Sequence, residues 1–207
     1  MRRKTTITRT DLILSTATLV AVALAVAVIA ATGSTNELVA WAWGRHHNVL
    51  SWYIRPLFFL PFCYFAYRRS LFGIVLTLLA LATSMFWFSV PEEVSPAVTE
   101  MLAAEEQYLT ADWTPWKVLV ALLVPATFVA LGLAFWRRSP IWGTAVINAA
   151  VVFKIGWTFV FSTEAGAMSH LPAALLGLAV CDAVILYLLY RRSTRSSEPS
   201  RPAGHHG

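Results

Sequence analysis

Six stretches of the chain are apolar over roughly the 20 residues that a helix needs to cross a bilayer, and short polar segments separate them. They cover residues 12–31, 49–67, 71–90, 117–136, 141–162 and 171–190. Pro56 and Pro61 lie in the second window and remove backbone donors, so that helix is expected to bend or break near Pro56. Pro125 sets up a kink in the fourth. The longest connection, residues 91–116, is acidic and opens on Ser95-Pro96, a cap followed by proline at the first helical position. Val98, Met101, Leu102, Tyr108 and Leu109 then recur at helical spacing, with Glu100 and Glu106 off that stripe. This predicts an amphipathic helix on the outer membrane surface or on the bundle, ended before a second cap-and-proline pair, Thr114-Pro115.

The fold expected is an all-α integral membrane protein of six transmembrane helices, with an interfacial helix in the outer loop between the third and fourth. One membrane domain fills residues 12–190, behind an N-terminal segment 1–11. The tail, 191–207, is rich in Ser, Arg, Pro and Gly and is expected to be disordered.

Composition agrees with a membrane class. Hydrophobic residues are 57% of the 207 and charged ones 13%, about half the share in soluble domains. The net charge of +5 would suit a nucleic-acid partner, but its location does not: the basic residues sit in short clusters beside apolar windows. Of the 16 Lys and Arg, all but Arg45, Arg55, Lys117 and Lys154 fall on one side if both termini are cytoplasmic, as the positive-inside rule requires. A plasma-membrane location follows as the expectation. The basic start and apolar first window also resemble a signal peptide, but the apolar run exceeds the usual 7–15 residues, which favours a retained helix. Cys63 and Cys181 both fall in windows, where thiols are ordinarily inert packing residues.

The text Tyr67-Arg-Arg-Ser-Leu-Phe-Gly73 resembles Trp136-Arg-Arg-Ser-Pro-Ile-Trp-Gly143, and each precedes a window ending in Phe-x-Phe-Ser. A duplicated hairpin would account for this. Recurrent topology signals and aromatic girdles at the interfaces would also account for it.

Two constellations bear on function. Asn148, Lys154 and Asp182 lie inside windows, and ionisable residues at such depth mark ion or proton pathways. At about 1.5 Å per residue, Asn148 and Asp182 are level, roughly 11–12 Å from the inner end, and Lys154 is about 8 Å further out. The competing reading is a structural Asn148–Asp182 hydrogen bond, with Lys154 snorkelling outward past Trp157. The second constellation is on the outer face: Arg45, His46, His47 and Arg55, with Glu92, Glu93, Glu164 and His170 on other loops. Arginine suits phosphate or carboxylate, and histidine transfers protons near neutral pH. The adjacent His46-His47 fix no metal geometry, so no metal is expected, and no cofactor. The chain has no Gly-rich phosphate loop, no Gly-x-Ser-x-Gly and no Cys-x-x-Cys.

The expectation is therefore transport of a small solute or ion, with proton coupling through Asp182, Asn148 and Lys154. The alternatives are an outer-face enzyme acting on a lipid or isoprenoid headgroup, and a non-catalytic accessory subunit docking through residues 98–109. The partners expected are the bilayer and a second copy or a membrane partner protein, not nucleic acid.

Overall fold

The computed structural model describes residues 7–33 and 35–196, and every regular element in them is helical. The ends of the chain, residues 1–6 and 197–207, lie outside the described residues, as does Ser34. The elements are α1 (Arg9–Ala31), α2 (Thr35–His46), α3 (Leu50–Ile54), a 3-10 turn (Arg55–Phe58), α4 (Phe59–Arg68), α5 (Leu71–Thr83), a second 3-10 turn (Ser84–Phe86), α6 (Pro96–Thr110), α7 (Pro115–Trp136), α8 (Pro140–Phe161) and α9 (Glu164–Ser196).

Helix starts follow local chemistry. Thr8, Ser70, Ser95 and Thr114 each accept a hydrogen bond from an amide in the first turn of α1, α5, α6 and α7. Proline opens α6, α7 and α8, where a missing N–H costs nothing. The helical path from Leu50 changes to the 3-10 form at Arg55–Phe58, where Pro56 removes a donor.

Four helices, α1, α7, α8 and α9, are long and apolar enough to cross a bilayer. A fifth crossing is available in α3–α4 taken with α2, two segments bent from each other by 84°. The expected six are thus four or five by length. The shortfall lies in Leu71–Phe86, apolar but only about 24 Å long against a hydrocarbon core of about 30 Å. It tightens there because Thr83 and Ser84 donate back to the carbonyls of Leu79 (2.9 Å) and Leu81 (2.6 Å), competing with the helical ladder.

Three further expectations are corrected. The connection expected over residues 32–48 contains α2. Glu164 and His170, expected in a turn, belong to α9, because the turn shrinks to Ser162 and Thr163. Residues 191–196 of the tail continue α9, since adding residues to an existing helix is far easier than starting one.

The helices run in alternating directions between two ends. One end holds the two arginine turns; the other holds α2 and α6. Near the middle, Phe62, Cys63 and Ala66 of α4 pack against Leu131 and Phe135 of α7, Ile147 of α8 and Ile185 of α9. At the α6 end, Val98, Met101 and Leu102 pack with Trp52 and Ala173. The first half of the apolar stripe of α6 is therefore packed on α9 and Trp52, while Tyr108 meets Trp157 and Phe161 of α8 and Leu109 is exposed.

At the arginine end, the two repeated texts make the same turn. Arg69 and Arg138 both take the left-handed conformation, with φ 58° and 60°. In each, the arginine amide donates three residues back and the following serine amide five residues back, which ties off the carbonyls of the preceding helix. The contacts between the turns are reciprocal. Arg69 donates to the Trp136 carbonyl at 3.3 Å, and the Arg138 guanidinium lies 5.2 Å from the Tyr67 ring. Positions 67 and 69 thus meet positions 136 and 138 as two copies of one surface would. Beside them Asp11 of α1 accepts from the Ser70 hydroxyl (2.9 Å) and the Leu71 amide (2.6 Å), fastening α1 to the start of α5.

Candidate functional site: an open cavity beneath α6

A cavity of about 820 Å³ lies between α7, α8, α9 and the Pro56 turn, with α6 across its end. Most of its wall is apolar: Phe59, Val120, Val124, Phe128, Val146, Val151, Phe153, Ala174 and Leu178 among others. The chain leaves this space because α9 sits close to the Pro56 turn rather than α7. A Cβ on Gly177 would overlap Pro56, and the Cys181 thiol donates to the Pro56 carbonyl at 3.4 Å. The cavity is open rather than enclosed, and Leu123, Val124 and Phe153 of its wall are exposed at mid-span.

The charged side chains in the wall are gathered toward α6: Arg55, Glu105 and Lys154, with His46 and His170. His46 is 3% exposed and is held by its surroundings. Its ring meets Trp43 edge-on at 5.4 Å, and its carbonyl accepts from Trp52 Nε1 at 3.2 Å. Arg55 Nη2 lies 3.0 Å from His46 Nδ1, and His46 Nε2 lies 3.5 Å from Glu105 Oε2. A guanidinium only donates. Nδ1 must therefore offer its lone pair, and the ring proton sits on Nε2, facing the carboxylate. His46 links Glu105 to Arg55 and has neither nitrogen left for a proton transfer.

Glu105 is half-buried on α6. Burial pushes its carboxyl pKa up, but the His46 hydrogen bond and the positive charges of Lys154 and Arg55 outweigh this and hold it at about 2. It is ionised throughout the physiological range. Lys154 is within electrostatic reach of Glu105 and His170, yet its ammonium donates no hydrogen bond among the described residues. The His170 ring lies tilted against Trp52, centroids 5.1 Å apart, and its Nδ1 is buried with no hydrogen-bond partner among the described residues.

The two constellations read from the sequence are redistributed. Asn148 and Asp182 meet: Asn148 Nδ2 donates to both carboxylate oxygens, at 3.1 and 3.2 Å, and to the Thr144 carbonyl at 3.0 Å. Lys154 does not join them and faces the cavity instead. On the other side, His46 and Arg55 come together. His47 turns away, its Nδ1 2.9 Å from the Trp43 carbonyl. Arg45 lies 4.0 Å over the Trp41 ring, and Glu164 is exposed in the first turn of α9. Neither lines the cavity.

Glu105 is the residue that sequence reading passed over. The signal was present, since Glu105 falls on the same helical stripe as Val98, Met101 and Tyr108. A carboxylate on the apolar face of an amphipathic helix needs a partner, whereas Glu106, off the stripe, does not.

No family model matches this chain, and neither does any curated protein or solved structure.

Proposed function

We propose that this is a six-span plasma-membrane protein, both termini cytoplasmic, that takes one amphiphile into the cavity beneath α6 and moves or presents it at the outer leaflet. The observation that carries this reading is the polarity of one space: apolar walls over most of its length, cations at one end. A lipid or isoprenoid places its chain along Phe59, Phe128 and Val151 and its headgroup beside Arg55 and Lys154. Burying a chain there removes apolar surface from water or from disordered lipid contact, and the headgroup supplies acceptors for the Lys154 donors. The distribution of arginines supports the orientation, and the alternating helices support counting Leu71–Phe86 as a thin sixth crossing.

Acting on the headgroup as an enzyme is less well supported, because His46 is committed on both nitrogens. Ion-coupled transport keeps one observation in its favour, the Asn148–Asp182 pair inside two spans. The test is native mass spectrometry of protein released from lipid nanodiscs, with wild type beside Arg55→Ala, Lys154→Ala and a cavity-filling Ala150→Trp. One lipid retained per chain, and lost in all three variants, is the expected result. Retention unaffected by any of them overturns the reading.

A further inference from the structure

The charges at the α6 end of the cavity specify more than an amphiphile; the inference rests on the amphiphile reading above. Arg55 and Lys154 contribute two positive charges and Glu105 one negative. His46 is uncharged, because Arg55 donates to its Nδ1 at 3.0 Å and leaves its one ring proton facing Glu105. His170 is counted in the neutral form ordinary for histidine at pH 7. Lys117 does not line the cavity and its charge is engaged outside it: its ammonium donates to the Ala111 carbonyl at 2.6 Å and lies 4.6 Å from the Trp113 ring and 4.9 Å from the Tyr108 ring. The polar end thus carries one net positive charge.

From this balance we infer that the occupant is a lipid monoanion, one whose headgroup bears a single net negative charge, such as a phosphodiester with an uncharged substituent. Glu105 is the selectivity element. It cancels one cation, so a phosphomonoester dianion meets an uncompensated charge. A zwitterion brings its own cation to a site whose only carboxylate is already engaged by His46. The Lys154 ammonium, with no hydrogen bond to the described residues, supplies donors to the anionic oxygens, and the Arg55 fork adds those not given to His46.

The test measures binding to the full chain in detergent micelles, at about pH 8.5 so that the phosphomonoester is doubly charged. The probes share one acyl composition: phosphatidylglycerol, phosphatidylcholine and phosphatidic acid, with glycerophosphoglycerol as the chain-free control. Wild type is expected to favour phosphatidylglycerol over each of the other two lipids by about tenfold, the effect of one charge-assisted contact. Glu105→Gln raises the net charge to two positives. It is expected to invert the order of phosphatidylglycerol and phosphatidic acid while leaving phosphatidylcholine last.

Equal binding of the three lipids by wild type, or an order that Glu105→Gln does not move, overturns the inference and leaves the amphiphile reading standing. Binding of no lipid at all overturns both. Glycerophosphoglycerol binding as tightly as the lipid shows that a free soluble anion is the ligand, and overturns the lipid source.

Discussion

Replacing Asp11 by alanine removes the carboxylate that joins α1 to the start of α5. In the wild type it accepts from the Ser70 hydroxyl at 2.9 Å, the Leu71 amide at 2.6 Å and the Phe72 amide at 3.4 Å. The three do not count equally. Ser70 keeps its own capping bond to the Gly73 amide, and the Phe72 contact is long. The Leu71 amide is the donor left without a replacement, and a hydrogen bond to a charged group contributes about 1.5–3 kcal/mol. We take about 2 kcal/mol, which lowers the protection of that first turn against hydrogen exchange by about 30-fold. The assay is exchange followed by mass spectrometry in nanodiscs, read on peptides spanning residues 70–76 and on α1. Asp11→Ala is expected to accelerate both, and Asp11→Asn, which keeps an acceptor without the charge, to fall between. Because α1 is apolar and largely unburied in the bundle, it is expected to loosen from α5 without leaving the membrane. Unchanged exchange at residues 70–76 in Asp11→Ala would refute the reasoning, since no other side chain caps the Leu71 amide among the described residues.

Three other outcomes are expected. Gly177→Val drives a side chain into Pro56 and should abolish a monodisperse fold in size-exclusion chromatography, whereas Gly156→Val, with open space around it, should not. Leu102→Ala, at 1% exposure in the core beneath α6, should cost about 2–4 kcal/mol and be read as faster cleavage of α6 by protease. Glu105 is held at about 2 from an ordinary 4.5, so its contribution to docking α6 is present above about pH 4.5 and is lost as pH falls toward 2. The melting-temperature gap between wild type and Glu105→Gln should therefore narrow from about pH 5 to pH 2.5; a constant gap would contradict the ion-pair assignment.

The parts of this fold that were legible in the sequence are those set by local rules. Serine or threonine before proline, as at Ser95-Pro96 and Thr114-Pro115, marks where α6 and α7 begin. Pro56 marks the break that becomes a 3-10 turn. Hydropathy gave the body of each long helix, but not the end of α5, which side-chain hydroxyls decide, nor α2, whose mixed composition reads as a connection. The Asn148–Asp182 hydrogen bond was within reach of simple depth counting, because α8 leaves the arginine end near Ile141 and α9 returns to it near Tyr190, which puts the two residues at the same depth. The cavity was not. It depends on α9 packing against Pro56 through Gly177, a tertiary contact between residues far apart in sequence.

Photolabelling with a lipid that carries its diazirine at the headgroup or at the chain end would locate the occupant directly. With Arg55 and Lys154 holding the headgroup, the headgroup probe should label residues 105–109 and 154–157, and the chain-end probe the cavity faces of α7 and α8 near Phe128 and Val151. Labelling by both probes spread evenly over the lipid-facing side of α1 and the outer surface of α7, and no stronger in the cavity, would contradict an amphiphile held beneath α6.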